Sequence, residues 1–313
     1  AAMADIIVLP RLYWHNKRAE AEYINRLRRA GKVVLWECDD DMFSFRPSMS
    51  AAWDESHKRS WFVWAAKARR IVKRCDGMTV STPYLRARAY QHTRENQPIY
   101  VVPNLIDLDW WGSLLSYAVR QTSGITVGWV GAKRNPADLA EMLKGWEIVA
   151  AQCPDVSFCT AGHEFDEFDN AVPRNRRTHI PWTTLWEYPA AYVNIDIGCA
   201  PLAPTMFNAC KSPIKVMEYA AAGAAVIASP TVYADHFDAN GGLFIARTGE
   251  EWARAIMDLV DSPSLRQSRA AEIKAEVFLD HSLERRSSLI TETWGRAAAL
   301  PRVLAPLQSI SRV

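Results

Sequence analysis

The stretch IDIGCAPLAPTMFNACKSPIKVMEYAAAGAAVIAS, residues 195–229, decides how this chain folds. It opens on Ile195-Asp196-Ile197-Gly198, which reads as a buried strand, and continues through an irregular loop carrying Pro201 and Pro204. Lys211-Ser212-Pro213 then starts a helix over 213–222. Proline suits the first helical turn because its missing N–H would have no intrahelical partner there. Gly223 sits where a helix ends in the left-handed region, and Ala225-Val226-Ile227-Ala228 is the next strand. Strand, helix and strand in close succession are the unit of a parallel sheet with helices on its faces. The unpaired N–H groups of the helix start, beside Lys211 and Ser212, suit phosphate oxygens. Glu218 follows about one and a half turns later. A plainer reading leaves Lys211 and Lys215 in solvent and pairs Glu218 with one of them, Lys215 being its i−3 neighbour.

Outward from this stretch the same rhythm repeats. Ile6-Ile7-Val8-Leu9, Val33-Val34-Leu35-Trp36, Met78-Thr79-Val80 and Ile99-Tyr100-Val101-Val102 read as strands, with helices over 17–30 and 57–75 between them. Residues 112–124 read as a connection, after which Ile125-Thr126-Val127-Gly128-Trp129-Val130 restarts the alternation. A helix over 138–151 and a strand at Val156-Ser157-Phe158-Cys159 follow, and helical sequence dominates from Glu250 to about Ala299. The pattern predicts an α/β chain of two doubly wound domains in series, which bind ligands at the carboxyl ends of their strands. The expected limits are 1–115 for the first domain and 125–285 for the second. A tail over 286–313 is expected to cross back onto the first domain.

Composition narrows the function. The 313 residues are 49% apolar and 23% charged, with a formal net charge of +2. This argues against a disordered, fibrous or strongly polybasic chain. No apolar run reaches the roughly 18 residues of a membrane span. The first residues lack a signal peptide's layout, and the six scattered cysteines show neither CxxC nor zinc spacing. These features point to reduced thiols and a cytoplasmic location. Charge is uneven, with a net of +5 over residues 1–115 and −3 over the rest, and seven of the thirteen tryptophans precede residue 115.

Two further features invite a function. Asp39-Asp40-Asp41 follow the second strand and are expected to face the cleft between the domains. They read either as a solvated acidic loop or as a recognition site for acceptor hydroxyls, with Asp40 placed among the catalytic residues, and three carboxylates also suit a divalent cation. Residues 58–74 contain Lys58, Arg59, Lys67, Arg69, Arg70, Lys73 and Arg74 and no acid, opposite an apolar stripe that includes Trp61 and Trp64. Such a face is either merely solvated, a track for a phosphate backbone, or a contact for an anionic membrane surface. His57 and His163 are lesser candidates, since a lone histidine is more often structural.

The segment from Lys211 through Glu218 to Ser229 resembles the nucleotide-sugar site of retaining GT-B glycosyltransferases of family 4. Val101-Val102-Pro103-Asn104-Leu105-Ile106-Asp107, Gly128-Trp129-Val130-Gly131 and Asp196-Ile197-Gly198-Cys199-Ala200-Pro201-Leu202 resemble further segments of that family in order. Trp36-Glu37-Cys38-Asp39-Asp40-Asp41-Met42 and Val80-Ser81-Thr82-Pro83 are similar to a short phage and bacterial subgroup. The resemblance implies a GT-B fold, two Rossmann-like domains facing each other across a cleft. It also implies transfer of a sugar, expected to be a hexose, from a UDP- or GDP-sugar to an acceptor hydroxyl with retention and without a metal. It places the donor's ribose hydroxyls on Glu218. Lys211, Ser212 and the helix start at Pro213 would hold the diphosphate, with Gly131, Asn208 and Lys215 lining the donor site. Lys133 or Arg134 would add a cation. Where the commoner pattern has a glutamate that contacts the transferred sugar, this chain has Cys210, so sugar recognition falls to Asn208 or backbone groups. For the acceptor, the basic face formed by Lys58, Arg59, Lys67, Arg70, Lys73 and Arg74 favours a hydroxymethylated pyrimidine in DNA. A lipid-linked or polysaccharide acceptor is the alternative, and a non-catalytic nucleotide-binding module is the reading from another class.

These roles separate kinetically. A charge-assisted hydrogen bond is worth about 1.5–3 kcal/mol, so Glu218→Ala should weaken donor binding roughly ten- to a hundred-fold. Lys211 would stabilise charge that grows as the sugar bond breaks, so Lys211→Ala should lower kcat more than it raises the donor KM. A Lys211→Ala enzyme with wild-type kcat and only a raised KM would contradict that assignment.

Overall fold

The computed structural model describes residues 4–10, 17–44, 55–120, 122, 124–132, 135–238 and 241–302. The chain divides into two compact units. The first takes the residues up to Pro103, the short segment Cys210–Ser212 and the chain from Ser287 onward; the second takes Asn104–Ala209 and Pro213–Arg286. Where the sequence suggests closing the first domain at 115, this division falls at Pro103. Among the described residues no helix is long and apolar enough to cross a membrane.

The first unit is built on four parallel strands, β1 (Ile6–Leu9), β2 (Val33–Cys38), β3 (Gly77–Val80) and β4 (Ile99–Val101), side by side in chain order. Helices α1 (Lys17–Arg29), α2 (Glu55–Val72) and α3 (Pro83–Tyr90) make the crossovers. Alternate strand residues face opposite sides of the sheet. Val34 and Trp36 accordingly pack with Ile24, Ala68, Ile71 and Leu85, whereas Val33 and Leu35 pack with Trp294 and Ala297 near the end of the chain. Thr82 starts α3 by accepting the Leu85 N–H at 3.1 Å, with Pro83 in the first helical position.

In the second unit, α4 (Leu108–Leu115) precedes β5 (Thr126–Gly131), α5 (Ala140–Gln152) and β6 (Ser157–Gly162). Next come α6 (Glu167–Ala171), β7 (Arg177–Ile180), β8 (Ile197–Ala200), α7 (Met206–Ala209) and α8 (Ile214–Ala221). The unit is completed by β9 (Ala225–Ala228), α9 (Pro230–Tyr233), β10 (Leu243–Ile245), α10 (Gly249–Asp261) and α11 (Pro263–His281). The final helix, α12 (Leu283–Ala298), begins in this unit, and its residues from Ser287 onward count with the first. The six strands are parallel in the order β10-β9-β8-β5-β6-β7. The winding therefore reverses at β5, with β6 on one side and β8 on the other. One buried layer of this unit is centred on Val216, Met217, Ile273 and Val277, the other on Trp146, Val149, Trp252 and Ile256.

Two elements depart from their expected limits. The presumed connection over 112–124 begins inside α4, because Asp107 caps the Trp110 N–H at 2.7 Å and Trp111 is buried against Tyr192. The strand expected from Ile195 starts at Ile197, because Asp196 is occupied: it accepts the Thr126 N–H at 2.8 Å and pairs with Arg120 at 2.6 Å.

β5 and β8 pair only at Val127–Ile197 and Gly128–Gly198, and beyond that register they part. Tyr219 of α8 fills the divergence. Its hydroxyl accepts the Val130 N–H at 3.0 Å and reaches the Cys199 carbonyl at 3.2 Å. A Cβ on Gly198 would collide with the Tyr219 ring, so glycine there lets the helix approach. Gly198→Ala should destabilise the protein by about 1–3 kcal/mol, the usual range for overpacking. The check is chemical denaturation of the variant, and a midpoint equal to wild type would show that the contact is slack.

Candidate active site

The winding reversal puts the expected ligand edge of the second unit at the carboxyl ends of β5 and β8. Gly131 closes β5 and Gly162 closes β6. Gly162 has φ +93, and a Cβ there would strike the Gly131 carbonyl oxygen, so this edge is bare backbone. The His163 N–H donates to that same carbonyl at 2.9 Å, while its ring lies edge-on to Phe165. Lys133 and Arg134 lie outside the described residues.

Glu218 and Lys215 lie on α8, whose first residue follows Pro213 and whose end is marked by Gly223 at φ +81. They do not face water. Glu218 is 8% exposed and the Lys215 side chain 14%. The pairing of the plainer reading is present, with Lys215 Nζ 2.8 Å from Glu218 Oε2, but its solvated setting is not. Two tyrosines from a 3₁₀ turn at Tyr188–Ala191 and the residue after it enclose the pair. The Tyr192 hydroxyl donates to Glu218 Oε2 at 2.6 Å, and Lys215 donates to the Tyr188 hydroxyl at 2.7 Å and to that of Tyr192 at 3.1 Å. Trp111 stands edge-on to both rings, 6.1 and 5.3 Å between centroids. Burial pushes the Lys215 ammonium down, but the Glu218 carboxylate and the tyrosine oxygens outweigh it and its pKa lies above the usual lysine value. Burial first, and then the Glu218 charge, raises both tyrosines. Lys215 is therefore held as a lysinium and both phenols stay neutral at neutral pH. Sequence reading overlooked both tyrosines. Their i, i+4 spacing just ahead of Asp196 was the available signal.

Asn208 has a different occupation from the one expected of it. Its amide donates to Asp138 Oδ1 at 2.6 Å and to the Ala203 carbonyl at 2.9 Å, while Asp138 also accepts the Ala203 N–H. Both amide protons are spent on holding the loop after β8.

Cys210, Lys211 and Ser212 belong to the first unit. The Cys210 side chain is buried among the apolar residues of that unit, and its carbonyl accepts from the Thr82 hydroxyl at 3.1 Å. Lys211 Nζ is 3.0 Å from Asp40 Oδ1, which brings the two predicted catalytic residues together. The acidic triplet divides its tasks. Asp41 is fully buried, caps the Phe43 and Ser44 N–H groups at 3.2 Å each and lies 3.5 Å from Arg88. The Asp39 carbonyl accepts from Ser81. Among the described residues no three His, Cys, Asp or Glu side chains come together to hold a metal ion.

The basic face is also divided. Arg70 is committed to the buried Glu20 at 3.0 Å, and Arg69 donates to the Phe43 carbonyl at 2.6 Å. Lys67 lies over the Trp64 ring at 5.2 Å, Lys73 is exposed and Arg74 half-buried. The side chains of His57, Lys58, Arg59 and Trp61 lie outside those described.

The family model for glycosyl transferase-like proteins matches residues 140–292, the stretch that carries α5 through α11, the first part of α12, and Glu218. A Bacillus subtilis (strain 168) protein named as a candidate teichuronic acid biosynthesis glycosyltransferase, TuaH, is 26% identical over 203 residues, 62% of this chain and 49% of that protein. The chain thus spans about half the length of this curated relative. Among solved structures, Anabaena HepE in complex with UDP and glucose aligns with a TM-score of 0.66 at 14% identity, over 94% of this chain and 79% of that one. Sucrose-phosphate synthase from Thermosynechococcus elongatus aligns with a TM-score of 0.65 at 14% identity, over 95% and 74%. The fold is that of the GT-B glycosyltransferases. In GT-B terms, α8 with Lys215 and Glu218 belongs to the second Rossmann-like unit, and Asp40 follows a strand of the first.

Cys210 is neither an exposed ligand nor a nucleophile here. Burial pushes its thiol up to about 12, so the thiolate is scarce at neutral pH. In the folded protein at pH 8, iodoacetamide should leave Cys210 unmodified and should label it only after unfolding. Peptide mapping by mass spectrometry reads this directly, and rapid labelling of the native protein would contradict the burial.

Proposed function

We propose that this chain transfers a sugar, a hexose, from a UDP-sugar to an acceptor hydroxyl with retention of configuration. The observation that carries the reading is Glu218: a buried carboxylate on α8 of a GT-B fold, held by Lys215 and Tyr192 through Oε2. Vicinal ribose hydroxyls are donors of the kind such a group accepts. Lys211 and Ser212, just ahead of α8 in the chain, are the proposed diphosphate ligands, and Gly131 permits close approach of the donor to backbone. In the proposed reaction the acceptor oxygen forms a bond to the anomeric carbon as the bond to the diphosphate breaks. The departing phosphate takes the acceptor proton, so no protein base is assigned. The choice of donor is supported by HepE, a protein of the same fold whose complexes hold UDP and UDP-glucose.

For the acceptor we favour a carbohydrate or lipid-linked sugar over hydroxymethylated DNA. Arg70, one of the cations expected to track a phosphate backbone, is neutralised by Glu20. TuaH and sucrose-phosphate synthase carry names that point to sugar-type acceptors. A mass-spectrometric transfer screen tests this by offering UDP- and GDP-sugars with sugar phosphates, a lipid-carrier extract, and hydroxymethylcytosine or hydroxymethyluracil DNA. The expected result is a one-hexose gain on a saccharide or lipid-linked acceptor and none on DNA. A hexose gain on DNA nucleosides would reverse the acceptor assignment. Tight UDP binding with neither transfer nor hydrolysis would leave a non-catalytic module.

A further inference from the structure

Lys215 has three protons to donate, and the structure accounts for all of them: one each for Glu218 Oε2, the Tyr188 hydroxyl and the Tyr192 hydroxyl. In this arrangement none remains for a phosphate or a sugar. The carboxylate is loaded unequally. Oε2 accepts from Tyr192 at 2.6 Å and Lys215 at 2.8 Å, whereas among the described residues Oε1 has only the Tyr188 hydroxyl at 3.3 Å. Tyr188 lies at 3.3 Å from both oxygens and 2.8 Å from the Tyr192 oxygen, so its single proton is better placed on Tyr192 than on either carboxylate oxygen. Oε1 is therefore the oxygen with acceptor capacity to spare.

We propose that Lys215 and Tyr192 are positioning residues: by saturating Oε2 they fix the Glu218 carboxylate with Oε1 presented to a ribose 2′-hydroxyl. They thereby make the site select ribonucleotides over deoxyribonucleotides. This rests on the reading of Glu218 as the ribose ligand. Tyr192 supplies the short bond that sets the carboxylate's rotation, and Lys215 supplies a compensating charge beside it. Trp111 packs against both tyrosine rings and restrains the phenol oxygens. A carboxylate released from Oε2 would rotate and offer either oxygen at a range of angles. The pentose contact would then lose its selectivity before it lost all its strength.

The experiment is a comparison of affinities by calorimetry for UDP and 2′-deoxy-UDP, repeated with the GDP pair. The proteins are wild type, Tyr192→Phe, Lys215→Met, Lys215→Arg and Glu218→Gln, each checked for folding by thermal melting. Wild type should prefer the ribonucleotide by about tenfold or more, the value of one charge-assisted hydrogen bond. Glu218→Gln should reduce the ratio to about one. Tyr192→Phe should lower it at least threefold with modest loss of UDP affinity, Lys215→Met should do the same, and Lys215→Arg should keep most of it. If Lys215→Met does not fold, Tyr192→Phe, which removes a single oxygen, carries the test. If the two positioning variants weaken both nucleotides equally and keep the wild-type ratio while Glu218→Gln abolishes it, the proposal fails and the ribose reading stands. A wild-type ratio near one, an unchanged ratio in Glu218→Gln, or no binding of either nucleotide overturns both.

Discussion

The Tyr219 hydroxyl is the constraint on which the carboxyl-end edge of the second unit's sheet depends. It hydrogen-bonds the Val130 N–H of β5 and the Cys199 carbonyl of β8 at the place where these strands cease to pair. A topological switch leaves backbone groups without a strand partner just where the sheet must open. Here one buried phenol satisfies them and ties α8 to both strands. The price is a glycine at 198, since the ring occupies the volume a Cβ would need. The neighbouring residue on the same helix is Glu218, so the contact that closes the split also sets the height and azimuth of the carboxylate.

A second constraint concerns charge. A carboxylate out of contact with water is costly unless paired and hydrogen-bonded. Glu218 has a lysine one helical turn before it and two phenols from the turn ahead of β8. The two short contacts that stabilise the ion, from Tyr192 and Lys215, both fall on Oε2. In the first unit the same principle appears twice: Glu20 is buried with Arg70, and Asp41 is buried with backbone N–H groups as partners. What reads along the chain as a run of acids or a run of bases is, in three dimensions, partly a set of internal pairs.

This explains how much was legible. The parallel α/β architecture and the helix at 214–221 follow from apolar runs punctuated by Gly223 and Pro213, because those signals are local. The roles of Lys215, Asn208 and Arg70 were not legible, because each is decided by a partner distant in sequence: Tyr188 and Tyr192, Asp138, and Glu20 respectively. The first turn of α4 was overlooked because its stability comes from the Asp107 cap and from Trp111 packing on Tyr192 rather than from helix propensity. The triplet Asp39-Asp40-Asp41 looked like one site. The turn after β2 splits it, placing Asp41 inward as a cap and Asp40 toward Lys211.

The central claim is that Glu218 is a pentose anchor and not merely half of a buried ion pair. The most direct measurement is a crystal structure of the protein soaked with UDP. The account predicts ribose hydroxyl oxygens within hydrogen-bond distance of Glu218 Oε1, with the Lys215 and Tyr192 contacts to Oε2 retained. UDP bound elsewhere, or bound with its ribose turned away and the Glu218 carboxylate still enclosed by its lysine and tyrosines, would contradict it.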